Sequence, residues 1–272
     1  MATRILIELR PPVLDMEIDN SEKRIRNIHQ DLLDVYGEQD EYDDSDGVRQ
    51  LLITILSQNV ADENTSRAAE NLFNDFKDYA EIEKASVEDL ADSINPAGLP
   101  ETKAKRIQRT LKALREYENR RFSGSPENSS REFSDDGEQE DYSVDFLGEM
   151  NDSDAQAWLE EIKGIGPKTA SVLLNFQFDA NVMPVDTHVE RISKRFRLIP
   201  FSASNGKAHE LLNEAVPHEI KNSFHKLLIE HGKNNCTARS PTCADTELKK
   251  YCTRYELVED GDLTPEEYPP EA

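Results

Sequence analysis

The chain has 272 residues, 36% of them hydrophobic and 32% charged, enough for one large domain or two modest ones with their own cores. No apolar run approaches the roughly 18 residues of a membrane span, and the opening MATRILIELRPPVLDMEID lacks the apolar stretch and small-residue cleavage site of a secretory leader. A soluble, cytoplasmic protein without a membrane partner is therefore expected.

The formal net charge of −23 argues against a polyanionic partner only if it is spread evenly. It is not. Residues 123–141 hold seven acids against one arginine, and residues 256–272 hold seven acids and no base. Outside them lie two groups of cations, Lys103, Lys105, Arg106, Arg109, Lys112 and Arg115, then Arg191, Lys194, Arg195 and Arg197. Basic islands on an acid-rich, lysine-poor surface fit a salt-adapted protein, the alternative being an ordinary one with acidic appendages. At molar salt, counterion release contributes little to DNA affinity, so backbone hydrogen bonds, stacking and shape would carry binding.

In chain order, apolar residues recur at three- and four-residue spacing and strand-like alternation is absent, which predicts an all-α fold. Helices are expected near 21–36, 47–59, 63–78, 86–94, 102–118, 153–163, 167–177, 187–197, 206–215 and 218–231. The segment 123–143, rich in Ser, Gly and acids, cannot bury a core and reads as a mobile insertion. The stretch from 256 to 272 reads as a disordered acidic tail.

The most informative stretch is WLEEIKGIGPKTASVLLNF, residues 158–176. Ser153 suits the cap of a helix that Gly164 ends, and Pro167 suits the first position of the next helix after Gly166. Two helices joined by Gly-Ile-Gly make a tight hairpin whose bare backbone can offer N–H groups to a phosphate. Lys168 falls in the first turn of the second helix, where the helix dipole disfavours an ammonium and so favours a nucleophilic amine. An ordinary helix–turn–helix connection with a surface lysine is the plain alternative. A phosphate-binding loop of the strand–GxxxxGK type is a weaker one, because Pro167 precedes the lysine and a helix precedes the loop.

Further on, VMPVDTHVERISKRF (182–196) places Thr187 and Glu190 as a capping box. Asp186 is then left outside the helix, able to stabilise an oxocarbenium ion. Asp186 as the cap itself is the equal alternative.

GIGPKTA followed by PVDTH resembles the endonuclease III family of helix-hairpin-helix DNA glycosylases. LLITILSQNVADENT (51–65), INPAGLPETKAKRI (94–107) and HGKNNCTARSPTC (231–243) match further family segments. The resemblance implies two all-α lobes: a six-helix lobe over 45–180 carrying the hairpin, and a second lobe formed by 181–255 with the N-terminal segment 1–44. It implies that Lys168 attacks C1′ of a damaged nucleotide and, as a Schiff base, eliminates the 3′ phosphate, facing Asp186, which stabilises the sugar's charge. Gln58 would fill the gap left by a flipped base, Leu99 would wedge against the opposite strand, Gly164 and Gly166 would approach the backbone, and His188 would lie near DNA. The partner would be double-stranded DNA with damaged bases or abasic sites, the substrate an oxidised pyrimidine, and the protein a monomer. A thymine-mismatch glycosylase on the same fold, and a non-catalytic DNA-binding or redox-sensing protein, are the competing readings. The adenine-specific branch lacks the lysine.

Against the family's C-x6-C-x2-C-x5-C pattern, Cys236, Cys243 and Cys252 match, and Thr246 stands where the third cysteine belongs. An iron–sulfur cluster, 4Fe–4S with Asp245, Thr246 or solvent completing it or 3Fe–4S, is one expectation. Zinc, or a loop that has lost its metal, are the others. Ser240 replaces a residue that is often basic in the family.

Overall fold

The structure is a computed structural model that describes residues 17–39, 46–123, 141–242, 246–259 and 264. Most of the acidic insertion, most of the acidic tail, Cys243 and Asp245 lie outside these residues. Eleven α-helices and no strand occur among the described residues. None of those helices is long and apolar enough to cross a membrane. The chain divides into two compact units, residues 42–180 and residues 1–41 with 181–272.

The unit 42–180 holds α2 (Gly47–Leu56), α3 (Asp62–Asp75), α4 (Tyr79–Lys84), α5 (Val87–Ser93), α6 (Pro100–Ser123), α7 (Asp152–Glu161) and α8 (Pro167–Phe178). Helical spacing builds its core. Ala104, Ile107, Leu111 and Leu114 form one fully buried stripe of α6, and Leu51, Leu52, Ile55 and Leu56 of α2 are likewise 0% exposed. Trp158 of α7 packs edge-on against Phe146, centroids 4.9 Å apart, and Phe146 stacks on Tyr117 of α6. These rings seat the helix that leads into the hairpin.

The other unit holds α1 (Glu22–Tyr36), α9 (Thr187–Arg195), α10 (Asn205–Ala215) and α11 (Lys221–Asn234). Ile25, Ile28 and Leu32 of α1 join Val189, Ile192 and Phe196 with Phe224, Leu227 and Leu228 of α11 in one core. The Tyr36 hydroxyl shares a 2.8 Å hydrogen bond with His231 Nδ1 and donates to Asn235, fastening α1 to α11.

The second expected basic island is not a surface feature. Arg191, Lys194 and Arg195 are 5%, 7% and 0% exposed. Arg191 donates to the carbonyls of Cys236 and Gly232, and Arg195 to those of Thr237 and Ala238. Lys194 pairs with buried Glu190 at 2.6 Å. Buried guanidinium groups need every donor met, and a loop with open carbonyls supplies the partners.

Candidate nucleic-acid interface and catalytic residues

Asn151, not Ser153, caps α7: its side chain accepts from the Asp154 N–H at 3.0 Å, and Ser153 sits inside the helix. After α7 the chain turns through Gly164 at φ +111°, a conformation that side chains rarely adopt. Space forbids a side chain there too, since a Cβ would lie 2.6 Å from Arg106 Cγ. Gly166 begins α8 in extended backbone, with open space where a Cβ would stand and no side-chain cap on the helix. The first N–H groups of α8 are thus unblocked by any capping side chain, and Lys168, half-exposed, is the second residue of the helix.

Gln58 lies two residues beyond the end of α2, in a turn rather than on the expected helix, and Asn59 beside it takes φ +57°. Its amide nitrogen donates to Thr169 Oγ1 at 3.1 Å, and its amide oxygen accepts from Arg106. The structure therefore brings Gln58 to the hairpin. Leu99 is 70% exposed, the most exposed large hydrophobic residue described, and holds φ +48°. Its carbonyl accepts from the N–H groups of Thr102 and Lys103, so the strained residue starts α6 and aims its side chain at solvent.

Sequence reasoning missed Lys103 as a structural cation. It is 2% exposed, and its ammonium donates to the carbonyls of Leu56, Gln58 and Ala97 at 2.6, 2.9 and 2.7 Å. The signal was available: a lysine stands in register with the apolar stripe of α6. Burial, with the Arg106 charge adding to it, pushes Lys103 down to about 8 from the ordinary 10.5. A folded value below the unfolded one means that the native state binds the proton less well, so this group's contribution falls as pH drops from 10.5 through 8. The unfolding free energy of the wild-type chain minus that of Lys103→Met should accordingly rise between pH 8 and 10, by about 2 kcal/mol. Urea titrations at both pH values measure it, and a flat difference would refute it.

Asp186 caps α9. Its Oδ1 accepts from the Val189 N–H at 2.8 Å, with the residue itself in extended backbone. The capping-box expectation for Thr187 fails, because Thr187 is the first helical residue and Glu190 turns away to Lys194 and Asn205. His188 packs against Gly232, where a Cβ would meet its Nδ1 at 2.4 Å, and Nδ1 lies 3.1 Å from Arg191. Burial lowers its pKa and Asp186 raises it, the lowering prevailing. Its observed contacts are within this unit.

Cys236 and Cys252 are 0% and 2% exposed and belong to the same core. Arg195 Nη1 lies 3.1 Å from Cys236 Sγ, and the Tyr255 N–H points at Cys252 Sγ. Among the described residues no three His, Cys, Asp or Glu side chains come together to hold a metal. With three cysteines in the chain and threonine at 246, the residues do not supply the four thiolates that a 4Fe–4S cluster normally takes.

Residues 52–218 match the model of the HhH-GPD superfamily of base excision DNA repair proteins. Endonuclease III of Haemophilus influenzae is 30% identical over 211 residues, 77% of this chain and 84% of that protein. Endonuclease III of Thermotoga maritima is 28% identical over 220 residues, 81% and 89% of the two chains. A trapped endonuclease III–DNA covalent intermediate shares the fold at a TM-score of 0.66 and 22% identity, over 87% of this chain and 97% of that one. A thermostable thymine-DNA glycosylase does so at 0.65 and 17%, over 88% and 100%. The chain belongs to the HhH-GPD superfamily, and it is a base excision repair enzyme of the DNA glycosylase/AP lyase class.

Proposed function

We propose that the chain removes damaged bases, oxidised pyrimidines first among them, and cuts the strand through a Schiff base on Lys168. The observation that carries this reading is a lysine at the second position of a helix that Gly166 opens without a side-chain cap. Unblocked N–H groups at this helix start suit a phosphate beside the Lys168 amine. The Lys168 amine forms a bond to C1′ as the bond from C1′ to the base breaks, and the base leaves with the electron pair and takes up a proton. The amine gives up a proton, the sugar ring opens at C1′–O4′, and an iminium results. Loss of a C2′ proton then expels the 3′ phosphate. Asp186 stabilises the positive charge that develops on the sugar. Gln58 fills the space of the extruded nucleotide and Leu99 wedges into the duplex, since the reacting carbon is shielded until the base is flipped out. That a fold neighbour was trapped as a covalent intermediate with DNA supports the covalent route.

The test is borohydride reduction on a duplex with one abasic site, across several KCl concentrations. There the amine condenses with the C1′ aldehyde, loses water, and the iminium takes hydride. A stable protein–DNA adduct is expected. Its absence at every salt concentration, with binding retained, would favour a monofunctional glycosylase. A thymine-mismatch substrate is the second reading, supported by the thymine-DNA glycosylase fold neighbour, and a G·T duplex in the substrate panel decides it.

A further inference from the structure

Two cations on successive turns of α6 converge on Gln58. Lys103 takes its backbone carbonyl and, with the other two ammonium protons, the carbonyls of Leu56 and Ala97. Arg106 takes its amide oxygen. That second bond also fixes which way the amide faces. Were the group reversed, its nitrogen would face the guanidinium and its oxygen would face Thr169, so the present orientation is the one in which Nε2 donates to Thr169 Oγ1 at 3.1 Å. The stem of Arg106 fills the space beside Gly164, so the side chain that orients Gln58 also supports the hairpin turn. The carbonyl of Ala97, two residues before Leu99, is held by the ammonium that holds Gln58.

A methionine would fill the Lys103 site without the cost of burying a charge. What methionine lacks is three hydrogen-bond donors, and these are the three that join the end of α2 to the loop before α6. We infer that Lys103 and Arg106 are positioning residues that hold Gln58 and the Leu99 loop in fixed register with the hairpin, so that gap filling and wedging act as one unit. This rests on the roles proposed above for Gln58 and Leu99.

The experiment compares single-turnover cleavage and borohydride trapping of an abasic duplex by the wild type, Arg106→Met, Arg106→Lys, Gln58→Ala and the Gln58→Ala/Arg106→Met double variant. Urea midpoints are measured alongside. Arg106→Met is expected to slow cleavage about tenfold, as removing one member of a coupled pair does. Arg106→Lys should recover part of that loss by restoring a donor. The double variant should be no slower than Gln58→Ala, because Arg106 acts through an amide already gone. Lys103→Met should impair cleavage of the same duplex while leaving binding to intact DNA near the wild-type level. Multiplied losses in the double variant, or an Arg106→Met enzyme as fast as wild type, would overturn the inference while the lysine mechanism stands. Failure of the wild type itself to form an adduct would instead sink the parent reading, and this inference with it.

Discussion

Lys168→Ala is expected to leave no protein–DNA adduct after borohydride treatment and to lower strand cleavage on the order of 10³-fold or more. Alanine is the best helix former and the position lies in the first turn of α8, so the helix should persist. Gly164 and Gly166 are untouched, and with them the uncapped N–H groups. Binding to an abasic duplex should therefore fall far less than cleavage. The separation matters, because a lysine serving only as a phosphate contact would give the reverse pattern: weakened binding, a shallower salt dependence and an adduct that still forms at saturating protein. Lys168→Arg is the companion measurement. It keeps the charge and loses the nucleophile, so it should bind well and trap nothing.

Asp186→Asn should slow cleavage by about 10² to 10³, the scale on which one positioned electrostatic group stabilises a transition state. The choice of asparagine follows from the structure. Asp186 caps α9 through Oδ1, and asparagine caps as well as aspartate does, so the substitution removes the charge and keeps the hydrogen bond to Val189. The melting temperature should stay within a few degrees of wild type. Asp186→Ala removes both and should cost about 1 kcal/mol of stability as well. An asparagine variant with the wild-type rate would show that the cap is all Asp186 provides.

The helices of both units were legible because their apolar residues keep helical spacing. The exception, α4, is only six residues long and gives no periodic signal; its start is set by Asp78 capping Glu81. The hairpin was legible because glycine and proline act on the backbone locally. Asp186 and Thr187 could not be ranked, since either suits a cap and only the backbone conformation decides. The cations at 191–195 are hidden for another reason: charge in a sequence says nothing about facing, and the partners of Arg191 and Arg195 lie about forty residues away in the cysteine loop. The resemblance singles out Gln58, but its tie to Arg106 spans 48 positions, and no local pattern announces that.

Leu99 carries a consequence for the balance between stability and repair. A leucine at φ +48° costs about 1 kcal/mol or more that glycine would recover, and its side chain, 70% exposed, repays little of that by burial. On the wedging role proposed above for Leu99, heat tolerance and repair pull on this position in opposite directions. Leu99→Gly is accordingly expected to raise the melting temperature and to slow cleavage of an abasic duplex.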